Sequence, residues 1–315
     1  MNYWLLLLTA VIAAGITAGG MPGLIRYFRA KKEGQQIREE GPTWHQKKSG
    51  TPTMGGLLFV LATLVAVLVM GLFQHQMTMT LWSLSLVWLL YALIGMWDDS
   101  IKLFRHQNEG FTPKQKLGCQ IVAAVIFAVF ALPTLGMTWS WGAILAMMGI
   151  VFWLVGFSNA VNLTDGLDGL VTGLATISFA GYLVIALHQK QSDVAIFCVA
   201  IIGSLIGFFP YNHKPAKIFM GDMGSLALGG ALAAVAILVH HPLSLLLLGL
   251  VYVLETASVM LQVFWFRRTG KRIFKMTPIH HAFEMDGWSE WQIGRRFWLF
   301  QFVVVLITLG VMGWY

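Results

Sequence analysis

The chain has 315 residues, of which 57% are hydrophobic and 11% charged, with a mean hydropathy of +0.71 and a net charge of +7. That composition excludes a water-soluble fold and implies an integral membrane protein. Its two cysteines, Cys119 and Cys198, both fall inside apolar runs and read as small buried thiols, with no bridge or metal site implied.

A spanning helix needs roughly 20 mostly apolar residues. Such runs occupy 3–21, 52–72, 79–96, 117–136, 139–158, 170–188, 193–210, 224–241, 243–265 and 296–315. They are continuous, without the alternation of an outer-membrane barrel. The fold class is therefore all-α: a polytopic integral membrane helical bundle of about ten transmembrane helices. No Lys or Arg precedes the first run and nine others follow it, so it reads as a mature helix instead of a signal peptide. No linker, low-complexity stretch or internal repeat divides the chain, which reads as one domain over 1–315.

The connections fall into two sets, and 20 of the 21 Lys and Arg residues belong to one of them, leaving Lys190 alone in the other. The positive-inside rule makes the first set cytoplasmic and both termini extracytoplasmic. Topology and attraction to anionic lipid account for the net charge, so no nucleic-acid partner is implied. The cytoplasmic connections also carry Asp98, Asp99, Asp165, Asp168 and Asp222. Acidic residues contribute little to orientation, so their clustering there points to a site on that face.

In chain order, "GTPTMGG" at 50–56 is rich in glycine and hydroxyls but lacks the Gly-Lys-Ser/Thr ending of a P-loop. "WDDSIK" places Asp98 beside Asp99, a pair suited to a divalent cation or a general base; its bland reading is a helix end with Lys102 pairing an Asp. "NAVNLTDGLDGL" spaces Asp165 and Asp168 at i, i+3, on one face if helical, with Gly166 and Gly169 allowing close backbone approach. Simple helix capping by Thr164 or Asp165 is the alternative.

"YNHKPAKIFMGDMGSLALGG" brings Asn212, His213 and Lys214 ahead of Asp222 at a helix start, with Phe219 spaced to reach the same cleft or to pack. Glu255 in "VYVLETASV" lies at or near membrane depth, where a carboxylate needs a partner or an aqueous groove; a helix–helix hydrogen bond to a Ser or Thr is the alternative to a functional role. "MTPIHHAFEMDGWSEW" supplies His280 and His281, which suit phosphate binding or proton exchange; HHxxE is not a zinc-protease helix.

Taken in order, "QQIREEGPTWHQKKSGTPTMGG", "DDSIK", "SNAVNLTDGLDGL", "PAKIFMGDMGSLALGG", "TGKRIFKMTPIHH" and "GWSEW" span residues 35 to 291. This set resembles the polyprenyl-phosphate N-acetylhexosamine-1-phosphate transferases, and its first and last members resemble the branch that handles a pentapeptide-bearing donor. The resemblance implies Mg²⁺-dependent transfer of phospho-N-acetylmuramoyl-pentapeptide from its UDP carrier, UDP-MurNAc-pentapeptide, to undecaprenyl phosphate. The products are lipid I and UMP, in the first membrane step of peptidoglycan synthesis.

It further implies that Asp222 binds Mg²⁺ and that Asp98, Asp99, Asp222 and His280 are catalytic. Lys48, Thr53, Asn162, Asp165, Gly166, Leu167, Asp168, Asn212, Phe219 and His281 correspond to substrate-binding positions. A homodimer in a bacterial inner membrane, with a cytoplasmic active site, belongs to the same implication. The chain departs from the family's three consecutive histidines, since Ala282 follows His281. Two rival readings are a relative acting on another UDP-N-acetylhexosamine and a membrane transporter.

Overall fold

The computed structural model describes residues 3–31, 50–104, 110–138 and 140–313, so the expectation for Lys48 lies outside the described residues. In lipid, a backbone must bond to itself, and a continuous apolar run does so as a helix. The helices are α1 (Tyr3–Ala30), α2 (Gly56–Phe73), α3 (Met79–Phe104), α4 (Pro113–Thr134), α5 (Trp141–Thr164), α6 (Leu170–His188), α7 (Ser192–Asn212), α8 (Gly221–Leu238), α9 (Leu245–Leu248), α10 (Leu250–Thr269), α11 (Ile279–Met285) and α12 (Glu290–Val311). Among the described residues, ten of them are long and apolar enough to cross a membrane.

Several helices outrun their apolar stretch at one end: α1 continues to Ala30, α3 to Phe104 and α5 to Thr164. Main-chain bonding continues the helix after the side chains turn polar. As a result Asp98, Asp99 and Asn162 stand on helix instead of loop. At the same end, capping boxes start two helices, with Thr112 and Gln115 opening α4 and Ser289 and Gln292 opening α12. Those caps place Lys116 and Glu290 in first turns.

The central helix is α8, 89% of which is buried. It packs against α3 and α5. Its sequence, GDMGSLALGGALAAVAIL, has the small residues that let helix backbones approach without a hydrophobic driving force. A Cβ on Gly95 of α3 would strike the Asp222 main chain, and one on Gly229 would strike that of Phe157. By contrast α1 and α10 are mostly exposed, with large apolar side chains such as Leu7, Val11, Met260 and Phe264 on the outside of the bundle, the surface a spanning helix offers to lipid.

The run at 243–265 departs from the continuous span expected. It breaks at Gly249 (φ −127°, ψ 30°), separating the single turn of α9 from α10. Gln301 of α12 repairs the break: its Oε1 accepts the Val251 N–H at 3.0 Å and its Nε2 donates to the Leu247 carbonyl at 3.1 Å. Ser178 of α6 donates to the Leu248 carbonyl at 2.6 Å. An interrupted helix is tolerated at membrane depth when neighbouring side chains satisfy the freed backbone groups in this way.

Candidate active site

The close packing of α3 on α8 brings three carboxylates together. Asp98, Asp99 and Asp222 each offer an oxygen within 4.8 Å of the others. Asp98 and Asp99 are 2% and 4% exposed, a burial that ionised groups keep only when partnered. Lys102, one turn along α3, lies 2.5 Å from Asp98 Oδ2, 2.8 Å from Asp222 Oδ2 and 3.8 Å from Asp99 Oδ1. Lys116 of α4 donates to Asp222 Oδ2 at 2.9 Å and to Asn162 Oδ1 at 3.3 Å.

Neutral donors complete the cluster. Asn162 Nδ2 donates to Asp222 Oδ1 and to Ser225 Oγ, both at 2.8 Å. The Phe111 N–H donates to Asp98 Oδ1 at 2.7 Å and the Met223 N–H to Asp99 Oδ2 at 3.1 Å. Gly221 adopts φ +73°, and any Cβ there would meet Asp99 Oδ2 and, at 3.0 Å, Thr53 Oγ1. Both the backbone conformation and the close approach therefore require glycine.

Residues 50–56 reach this site through main-chain bonds. The Gly55 and Gly56 N–H groups donate to the Phe219 and Met220 carbonyls at 2.8 and 2.9 Å, and the Phe219 N–H donates to Pro52 O at 2.9 Å. That ladder explains the glycines of "GTPTMGG", which need the room: a Cβ on Gly56 would lie 2.6 Å from the Gly224 nitrogen. Thr53 is thus delivered beside Asp99, and half-buried Phe219 is fixed by its backbone.

The "DGLDG" segment differs from the expected helical face. Residues 165–169 form a turn between α5 and α6, so Asp165 and Asp168 do not share a helix. Neither caps α6, whose N-cap is Gly169 at φ +74°. Asp165 instead ends α5, and Asp168 Oδ2 accepts the Ala216 N–H at 3.0 Å. The Asp168 N–H donates to Glu290 Oε2 at 3.3 Å, and Glu290 also pairs with Lys214. Asn212 is 3% exposed, accepting from Thr172 at 2.6 Å and donating to the Ile218 carbonyl at 3.1 Å, which holds the 212–218 bend.

His280 is fully buried, with Nδ1 3.2 Å from Oε2 of the equally buried Glu255. The expectation of a partner for that membrane-depth carboxylate is met by a histidine. His281 Nδ1 lies 2.7 Å from Glu284 Oε2 one turn along α11. The His280 ring lies against Gly166, whose own Cβ would collide with Nε2. Hence the His280 ring borders the turn that follows α5, while Asn162, in the last turn of α5, bonds to the acid cluster.

Lys116 and Ser225 were not singled out from the sequence. Their signals are visible with the helices known: Lys116 follows the Thr112 cap by one turn, and Ser225 follows Asp222 by three residues on α8.

Ten helices long and apolar enough to span a membrane among the described residues, with buried carboxylates and two lysines gathered at one end, make a membrane protein with a polar site at the end of its bundle. Comparison with known proteins narrows that class to a transferase. Residues 81–240 match the model for glycosyl transferase family 4, and residues 48–60 match signature 1 of phospho-N-acetylmuramoyl-pentapeptide-transferase. The chain is 64% identical to the phospho-N-acetylmuramoyl-pentapeptide-transferase of Limosilactobacillus fermentum, over 97% of each chain. It is 61% identical to that of Lactiplantibacillus plantarum over 93% of this chain and 94% of the relative, and 52% identical to that of Enterococcus faecalis over 99% and 100%. The chain belongs to the phospho-N-acetylmuramoyl-pentapeptide-transferase family.

Proposed function

We propose that the chain transfers phospho-N-acetylmuramoyl-pentapeptide from UDP-MurNAc-pentapeptide to undecaprenyl phosphate at the cytoplasmic face of a bacterial plasma membrane, in a Mg²⁺-dependent reaction. The observation that carries this reading is the cluster of Asp98, Asp99 and Asp222, joined by Lys102 and Lys116 at the membrane end where nearly all the basic residues lie. The positive-inside rule assigns that end to the cytoplasm and both termini to the exterior. Residues 1–315 act as one transferase domain, and a homodimer is carried over from the family resemblance.

The donor set fits Mg²⁺. It consists of hard carboxylate oxygens without thiolate or imidazole, and Mg²⁺ in phosphate sites takes one or two carboxylates together with substrate oxygens. Asp222 would hold the ion, with Asp98 and Asp99 in reach. When bound it supplies charge neutralisation for the donor diphosphate.

This chain's residues do the rest. Two phosphates must approach each other, so repulsion is the obstacle. Lys102 and Lys116 pair with these carboxylates, and with a cation in their place both ammonium groups would be available to phosphate oxygens. Asn162 keeps Asp222 oriented. Asp98, fixed by the Phe111 N–H, receives the acceptor phosphate's remaining proton. An acceptor oxygen then bonds to the donor phosphorus nearest the sugar as the bond to UMP breaks. The 165–168 turn, Asn212, Phe219 and Thr53 bound the nucleotide side; Lys48 and His281 add cationic or hydrogen-bonding capacity.

The test supplies purified protein with both substrates and follows UMP release and lipid product. Turnover that requires a divalent cation and prefers the pentapeptide donor over UDP-N-acetylglucosamine is expected. Equal turnover after chelation overturns the metal assignment, and preference for the other sugar overturns the donor.

A further inference from the structure

Glu255 has no part in the chemistry above, yet it is 0% exposed inside a membrane helix. A buried ion pair is weak support for stability, and a carboxylate at this depth is retained for function more often than for folding. Its surroundings are incompletely satisfied. Glu255 Oε1, the hydroxyls of Tyr252 and Thr256 and both ring nitrogens of His280 are buried without a well-aligned hydrogen bond among the described residues. Tyr252, Glu255 and Thr256 form one turn of α10. Apolar residues of similar size would avoid that penalty.

Two contacts define what the pair does. Glu255 Oε2 stands 3.2 Å from His280 Nδ1, in contact but not aligned as a hydrogen bond, and accepts the His280 backbone N–H at 3.4 Å, so a single oxygen abuts both the ring and the start of α11. The opposite edge of the ring, at Nε2, meets Gly166 where a methyl group would collide. Gly166 has no left-handed φ, so glycine is needed there for room alone. The ring is thus a spacer between α10 and the turn carrying Asp165 and Asp168.

We propose that Glu255 is a positioning residue for the nucleotide-binding turn, acting through His280. Its carboxylate fixes the imidazole edge-on under Gly166, and the ring sets the height of the 165–168 turn relative to Asn162 and the acid cluster. His280 itself is a strut in this arrangement, not a group that touches the reacting phosphates. The inference rests on the transferase reading only for the identity of the nucleotide.

Glu255→Gln and Glu255→Ala, purified in detergent, separate this role from a merely structural one. Both should weaken UMP affinity and raise KM for the UDP donor, Ala by roughly tenfold or more and Gln by less. KM for undecaprenyl phosphate should stay within about twofold, with the melting temperature little changed. Gly166→Ala should weaken UMP binding similarly, and its effect should shrink in a His280→Ala background, because the added methyl then has space.

Unchanged UMP affinity in folded Glu255→Ala protein overturns the proposal. So does a fall in kcat with both KM values constant, or an equal loss for both substrates that follows thermal stability. If the parent protein released no UMP, the transferase reading would fail, and the UMP titration would still judge the strut.

Discussion

The acid cluster and the His280 pocket are both buried, both charged in composition, and only the α5 end apart, but they are built on opposite terms. At the cluster, Lys102, Lys116, Asn162 and two backbone N–H groups serve the three carboxylates. At the pocket, among the described residues, Glu255 is met by the His280 ring and one N–H, and polar atoms around it lack hydrogen-bond partners. The first has its charge balanced by ammonium groups on long side chains, which can take other anionic partners. The second has its ring packed between α10 and Gly166, the arrangement a spacer requires.

The comparison breaks most sharply at Asp222. Asp222→Asn should lower UMP release on the order of 100-fold or more while the protein stays monodisperse, because a positioned electrostatic group is lost and the fold's apolar core is untouched. Asp98→Asn should do the same; normal turnover by either variant refutes its role. Lys102→Met carries the next effect. It removes the cation that competes for the three carboxylates, so half-maximal activation should move to lower Mg²⁺ concentration while the maximal rate falls. A shift to higher Mg²⁺ would mean that Lys102 helps assemble the metal site instead of competing with it.

Gly95→Ala tests whether the cluster depends on helix approach. Its methyl group would push α3 from the Asp222 backbone, and overpacking of this kind costs about 1–3 kcal/mol. Thermal unfolding should show the loss, and UMP release should fall with it. Intact activity in Gly95→Ala would show that α3 and α8 can separate without dispersing the carboxylates.

Much of this was legible in the sequence because lipid imposes a simple rule: each long apolar run must be a helix, and the basic residues must sort to one side. The same rule explains what was missed. It locates apolar cores and says nothing of how far helix continues into polar text, so Asp98 and Asp99 were assigned to a connection, with a helix end as the bland reading, and stand on the end of α3. The break at Gly249 was hidden because its remedy, Gln301, lies on another helix. Asp98, Asp99 and Asp222 were recognisable as chemistry by residue type, whereas Lys116 entered only through the α4–α5 packing. The expected helical face for Asp165 and Asp168 failed because glycines at 166 and 169 favour a turn over helix propagation.

Ala282→His should have the smallest effect. Position 282 follows the two histidines on α11, but the structural demands there are already met: His280 supports Gly166, and His281 is held by Glu284 at 2.7 Å. Residue 282 is half-buried, so a larger side chain there can extend toward solvent. Donor KM and kcat should therefore stay within about twofold of the parent, a range typical of substitutions that touch no special feature. A large gain in kcat would show that a third imidazole takes part in the reaction. His281 and residue 282 would then belong with the acid cluster, and the pocket would shrink to His280 and Glu255 alone.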